Sequence, residues 1–133
     1  MAAQGLITVA SRLGPKDTMN RLETEVKAKG MTVFARIDHA EGAAVAGLSL
    51  PPTEVLIFGN AKAGTPLMHS VQTTGIDLPL KALVWQDASG ATWLSYNDPV
   101  WVTERHGLSG ETAAAVRAMT AALEAVTKAA TTG

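Results

Sequence analysis

The spacing of apolar and polar residues changes several times along the chain, and each change marks an element. Gly5 to Ser11 alternates, with Leu6, Thr8 and Ala10 on one face and Ile7 and Val9 on the other, which predicts a strand. Gly14-Pro15 breaks that strand and opens a helix, where Met19, Leu22 and Val26 recur at helical spacing. Glu23–Lys27 and Glu25–Lys29 supply ordered i,i+4 pairs on its wet side, and Gly30 is a natural stop. Met31 to Asp38 alternates again, setting Val33, Ala35 and Ile37 against Phe34, Arg36 and Asp38. His39 to Gly47 gives a weaker signal of one or two helical turns, diluted by Gly42 and Gly47.

Val55-Leu56-Ile57-Phe58 does not alternate, and such a run predicts a strand covered on both faces, with Ile57 fully buried. Gly59-Asn60 breaks it, Ala61 to Gly64 reads as a loop, and Thr65-Pro66 reads as a helix start running to about Thr74. Leu80–Asp87 and Thr92–Asn97 form a hairpin around Ala88-Ser89-Gly90-Ala91. With Ser89 and Gly90 as the central turn residues, Trp85 faces Leu94 and Leu83 faces Tyr96. Leu80, Ala82, Val84 and Trp93 then share one face, and Leu83, Trp85, Leu94 and Tyr96 the other. Asp98-Pro99 caps a short helix ending near His106-Gly107, and a last helix carries Val116, Met119, Leu123 and Val126 as its stripe.

This order predicts an α+β fold: a mainly antiparallel sheet with two long helices on one face, in the order β-α-β4-α, with short inserted helices. Two long helices cover one face only. The apolar residues on the other face make a second copy of the chain its simplest cover, so a homodimer is expected.

Composition narrows the classes. The 133 residues suit one domain spanning 1–133, and nearly half are apolar. A net charge of −1 with no Lys/Arg block argues against nucleic acid and membrane surfaces as partners. No cysteine is present, which removes disulfides and thiolate chemistry. The start MAAQGLITVAS lacks the basic and apolar regions of a signal peptide, so a soluble cytoplasmic protein is expected; a leader cleaved from a longer precursor fits the same residues.

GLITVAS, Ile37-Asp38-His39, PTEVLIFGNAKAGTPLM, LPLKALVWQD, and SYNDP with Arg105-His106-Gly107 together resemble the bacterial domain-of-unknown-function family numbered 302, over roughly Gly5 to Leu108. The resemblance implies a TATA-binding-protein-like β-α-β4-α fold and a dimer. It brings no established activity, cofactor or catalytic residue.

Candidate chemistry is sparse. A helix start at Thr65, with Gly64, Lys62 and Asn60 beside it, has the parts of an anion site, although no phosphate-loop pattern is present and Pro66 removes a donor. A capped structural helix uses the same residues. His39 beside Asp38 could act as a base, and Tyr96, Asn97 and Asp98 with Lys81 could form an acid–base cluster; helix capping and ion pairing account for them equally. The three histidines have no metal-binding spacing, so neither a metal nor a cofactor is expected. The tryptophans Trp85, Trp93 and Trp101, with Met19, Met31, Met68 and Met119, could line an apolar pocket or fill a core. Three readings remain open: a noncatalytic dimeric domain for a small anionic or polar ligand, an enzyme using Asp38/His39 and Lys81/Asp98, and a partner-binding module.

Overall fold

The structure, a computed structural model, describes residues 3–133; the reading of the N-terminus that rests on Met1 and Ala2 lies outside them. Five strands, β1 (Leu6–Ser11), β2 (Thr32–Asp38), β3 (Thr53–Gly59), β4 (Leu80–Gln86) and β5 (Thr92–Asn97), form one sheet in the order β1-β5-β4-β3-β2. Every neighbouring pair is antiparallel. Helices α1 (Pro15–Ala28) and α5 (Ala113–Thr132) pack together on one face of the sheet. Three shorter helices interrupt the strands: α2 (His39–Val45), α3 (Ala61–Ser70) and α4 (Pro99–His106). A 3-10 turn, Gln72–Asp77, links α3 to β4. This is the α+β architecture expected from the sequence.

The core lies between the sheet and the α1–α5 pair. Met19, Leu22 and Val26 of α1 and Leu123, Val126 and Ala130 of α5 meet Leu56, Phe58, Ala82, Val84, Leu94 and Tyr96 of the sheet, all buried. Removing that apolar surface from water is what holds the layers together. Beneath the layer, Arg36 ties α1 to two strands. Its guanidinium donates to both Glu54 carboxylate oxygens, at 2.7 and 3.0 Å, and to Asn20 and Glu23 at 2.9 and 3.0 Å. These charge-assisted bonds, Glu54 first, raise the Arg36 pKa; those from Lys27 and Arg36 lower that of Glu23.

Four expectations are corrected. First, the hairpin register differs by one residue: Trp85 faces Trp93, Val84 faces Leu94, and Ala82 faces Tyr96. The turn has three residues between Asp87 and Ala91, closed by the Asp87 N–H to the Ala91 carbonyl at 2.9 Å, with Gly90 at φ +90°. The Asp87 carboxylate accepts from the Ser89 N–H and hydroxyl, the Ala91 N–H and the Trp93 indole, which favours this turn over a two-residue one. A one-residue shift reassigns sides. Leu94 and Tyr96 therefore join Ala82 and Val84 in the core, and Trp93 joins Leu83 and Trp85 on the open face, where the two indoles stack at 6.2 Å.

Second, β2 carries a bulge at Phe34: Val33 faces Phe58 but Ala35 faces Ile57. Val33 packs on the core and Arg36 also reaches the helical side, so the simple alternation of β2 does not hold. Third, Ile57 is only half-buried; its neighbours Leu56 and Phe58 are the fully buried residues. Fourth, no helix starts at Thr65. Asn60 caps α3, its side-chain oxygen accepting the Lys62 N–H at 2.8 Å, and Pro66 sits inside the helix. An Asn at a strand end is a better cap than a Thr four residues into an alanine-rich run. The weak signal after Asp38 does become a helix, α2, with Asp38 accepting the Glu41 N–H at 3.0 Å.

Candidate functional site

At the end of the sheet where β3 finishes and β4 begins, the layers do not close. A cavity of about 440 Å³ opens between α3, α5, the β2 bulge and the strand ends. Its size lies within the roughly 300–1,000 Å³ usual for small-molecule pockets. Three methionines, Met31, Met68 and Met119, line it with Phe34, Leu78 and Leu80. Small residues make the room: Ala61, Ala63 and Gly64 on α3, and Ala118 and Ala122 on α5. Gly64 is buried where a Cβ would already touch Leu78 at 3.4 Å, and a Cβ at Gly75 would press on the Met68 sulfur at 3.3 Å.

Polarity is graded by depth. Lys29, Asn60 and Thr65 are the polar side chains of the lining, and all three are exposed at the rim. Gly59, Gly64 and Met119 are buried at the floor. Lys29 is the one charged lining residue, and it takes part in no ion pair among the described residues. The Glu25–Lys29 pair expected from spacing is accordingly absent there.

The sequence-derived candidates divide between places. Asn60, Gly64 and Thr65 line the cavity, while Lys62 on the same helix is exposed outside the lining. Lys81 and Asn97, each next to the last β4–β5 pair, Ala82–Tyr96, border a narrow crevice of about 20 Å³ beside the cavity. Lys81 Nζ has its polar contact at the Pro79 carbonyl, 3.5 Å away, so the expected Lys81–Asp98 pairing is replaced. Asp98 instead caps α4, accepting the Val100 N–H at 3.0 Å. Tyr96 is buried in the core; burial first, then the charges of Glu124 and Asp98, raises its phenol pKa.

His39 is exposed at the first position of α2, and Asp38 is used as that helix's cap. Asp38 lies level with Glu54 and Val84, three strands across and three residues along from Asn97. Strand spacing places the two groups on the order of 15–20 Å apart. Asp38/His39 and Lys81/Asp98 do not converge. Among the described residues, no three His, Asp or Glu side chains are grouped to hold a metal.

One polar cluster escaped the sequence reading. Asp77 meets His106 Nε2, Arg105 donates to both Asp77 oxygens at 2.9 and 3.0 Å, and Thr73 Oγ1 lies 3.1 Å from His106 Nδ1. Arg105 also lies over the Trp101 ring at 5.8 Å. The cluster fastens the 3-10 turn to α4. Its members are nearly thirty residues apart in the chain, and no spacing signal joins them.

On the open face of the sheet, Leu6, Val55, Leu83 and Trp85 border a groove of about 330 Å³. Trp85 donates to Ser95 Oγ at 2.9 Å, and Ser95 in turn is hydrogen-bonded to Thr8 at 2.9 Å. Among the described residues, only strand residues border this groove.

The family model described as Domain of unknown function DUF302 matches residues 7–126. A protein named Fluoride-specific ion channel FluC 1, from Brucella suis biovar 1 (strain 1330), is 48% identical over 124 residues, covering 93% of this chain and 49% of that protein. Fluoride-specific ion channel FluC 2 of Brucella melitensis biotype 1 (strain ATCC 23456 / CCUG 17765 / NCTC 10094 / 16M) is likewise 48% identical over 124 residues, covering 93% of the chain and 46% of that protein. The chain thus spans about half the length of the curated relatives it matches. Among solved structures, the crystal structure of an uncharacterized conserved protein DUF302 from Bacillus stearothermophilus superimposes with a TM-score of 0.84 at 22% identity, covering 96% of this chain and 99% of that one. At that identity the likeness speaks for the fold.

Proposed function

Because the chain belongs to the DUF302 family, a family of unknown function, we propose its role from its own geometry: a noncatalytic, homodimeric accessory domain that binds one small molecule per chain. The observation that carries this reading is the cavity of about 440 Å³ at the sheet end, lined by adaptable methionines and bordered by Asn60 and Thr65. The enzyme reading needs convergent acid and base groups, and Asp38/His39 and Lys81/Asp98 stand at different ends of the sheet.

The names of the Brucella relatives fit an accessory role. An ion path through a bilayer requires spanning helices or a closed barrel. Among the described residues no helix is long and apolar enough to cross a membrane, and the sheet is open, with β1 and β2 as its edges. The half of those relatives that this chain does not match would then carry the channel, and the half resembling this chain would be an attached binding domain.

The test is a small-molecule fragment screen read by methyl NMR of labelled methionine. Ligands of this domain are expected to move Met31, Met68 and Met119 while leaving Met19, which α1 buries in the core against the sheet, in place. A broad and chemically varied panel that moves none of the three cavity methyls would overturn the binding reading.

A further inference from the structure

The grading of polarity with depth names the ligand class. We propose that the cavity takes an amphipathic monoanion, a single acyl chain or compact ring system ending in a carboxylate, inserted apolar end first. The proposal rests on the binding reading above and deepens it.

Three observations carry it. The floor offers an inserted group nothing to hydrogen-bond with from side chains: Leu80, Met119 and the buried Gly64 are apolar. A sugar, nucleotide or amino-acid zwitterion seated there would lose its hydration without replacement, a cost of several kcal/mol on the usual scales. The volume of about 440 Å³ is that of a small-molecule pocket, and the methionine side chains let its shape follow an acyl chain. Lys29 is the only charge on the lining, stands at the rim and has no ion-pair partner among the described residues. A ligand whose tail fills the floor brings its head to the level of that ammonium, and the complementary head is an anion. Asn60 gives its side-chain oxygen to the Lys62 N–H, which leaves its amide N–H groups to a carboxylate oxygen at the same rim. The sequence suggested an anion held by a helix start at Thr65; the fold places anion and apolar recognition together, with Lys29 in the place assigned to Lys62.

Decanoate, decanol and decylamine, equal in chain and different in head, separate the parts of this idea. The protein is titrated with each below its micelle concentration, by calorimetry and by methionine-methyl NMR. Decanoate is expected to bind with one site per chain and to shift Met31, Met68 and Met119, with decanol weaker and decylamine weakest. Lys29→Gln should weaken decanoate about fivefold, the scale of one solvent-exposed charge pair, and leave decanol unchanged. Ala118→Phe, at an exposed position of the cavity wall, should abolish binding of all three while the helical circular dichroism stays that of the parent.

Equal affinity for the three heads, or no effect of Lys29→Gln on decanoate, overturns the anionic assignment. If none of the three binds but polar fragments shift the cavity methyls, the amphiphile class is wrong and the binding reading stands. If nothing shifts those methyls, both fall. Saturable binding that instead perturbs the Trp85 and Trp93 indole signals places the site on the open sheet face and overturns the proposal.

Discussion

Asp87 is held at a pKa of about 2, below its ordinary 3.8, by hydrogen bonds from Ser89 first and Trp93 next, followed by the Ala91 N–H. A carboxyl group whose value is lower in the folded than in the unfolded chain stabilises the fold when ionised. Its contribution is full above the unfolded value and is lost as pH falls from about 4 toward about 2. Asp87→Asn is therefore expected to lower the melting temperature near neutral pH, with the gap to the parent closing as the pH approaches that lower limit. Thermal melts of both proteins across the acid range check this, and a gap that is constant with pH would contradict it. The same residue shows where sequence reading stops at this scale. Ser89-Gly90 was legible as a turn, but the choice between a two- and a three-residue loop depends on four donors converging on one carboxylate. Asp77 and His106 were equally hidden, because chain distance conceals a contact that α4 and the 3-10 turn create.

Elements were the most readable level. Apolar stripes at helical spacing revealed α1 and the C-terminal helix α5, because burial against the sheet selects the same residues that the pattern displays. The unbroken run Val55–Phe58 was legible as a strand but silent about its sides. Leu56 and Phe58 are fully buried, and Ile57 points to the open face. Leu56→Ala should cost about 2–5 kcal/mol, from lost transfer energy and the remaining cavity. Ile57→Ala should cost roughly half as much in the monomer, since part of that side chain already meets water. Urea denaturation of the two variants decides it; equal losses at low protein concentration would mean that both faces are core. The start of α3 was misplaced for a local reason: Thr65-Pro66 has the chemistry of a helix start, but Asn60 had already supplied the cap.

For the whole molecule, the open face is the feature on which a test of assembly turns. Leu83, Trp85, Trp93, Val55 and Ile57 are only half-buried there, and Ile37, opposite Val55, is 42% exposed. Soluble monomers rarely leave so large a contiguous apolar surface open. If a second copy covers it, sedimentation equilibrium at micromolar protein gives twice the 13.8 kDa chain mass, with more than roughly 1,000 Å² buried in total. Leu83→Glu, at the middle of that face, should shift the protein to the monomer. A parent that sediments as a monomer at every accessible concentration would rule the dimer out. The sequence pointed to this uncovered face through the number of its long helices. It could not show the cavity, which is lined by small residues from two separate helices, Ala118 and Ala122 of α5 and Ala63 and Gly64 of α3.

The bulge at Phe34 has a consequence for how this protein can change over generations. Val33 and Arg36 lie on the same side of the sheet although three positions separate them, an odd interval that a regular pleat would not allow. Phe34 is the supernumerary residue, and it is also part of the cavity rim. Loss of that one residue restores an even interval, leaving Val33 and Arg36 facing as they do now while a wall of the mouth disappears. Drift in length at this point of β2 can therefore remodel the mouth of the cavity without rewriting the core.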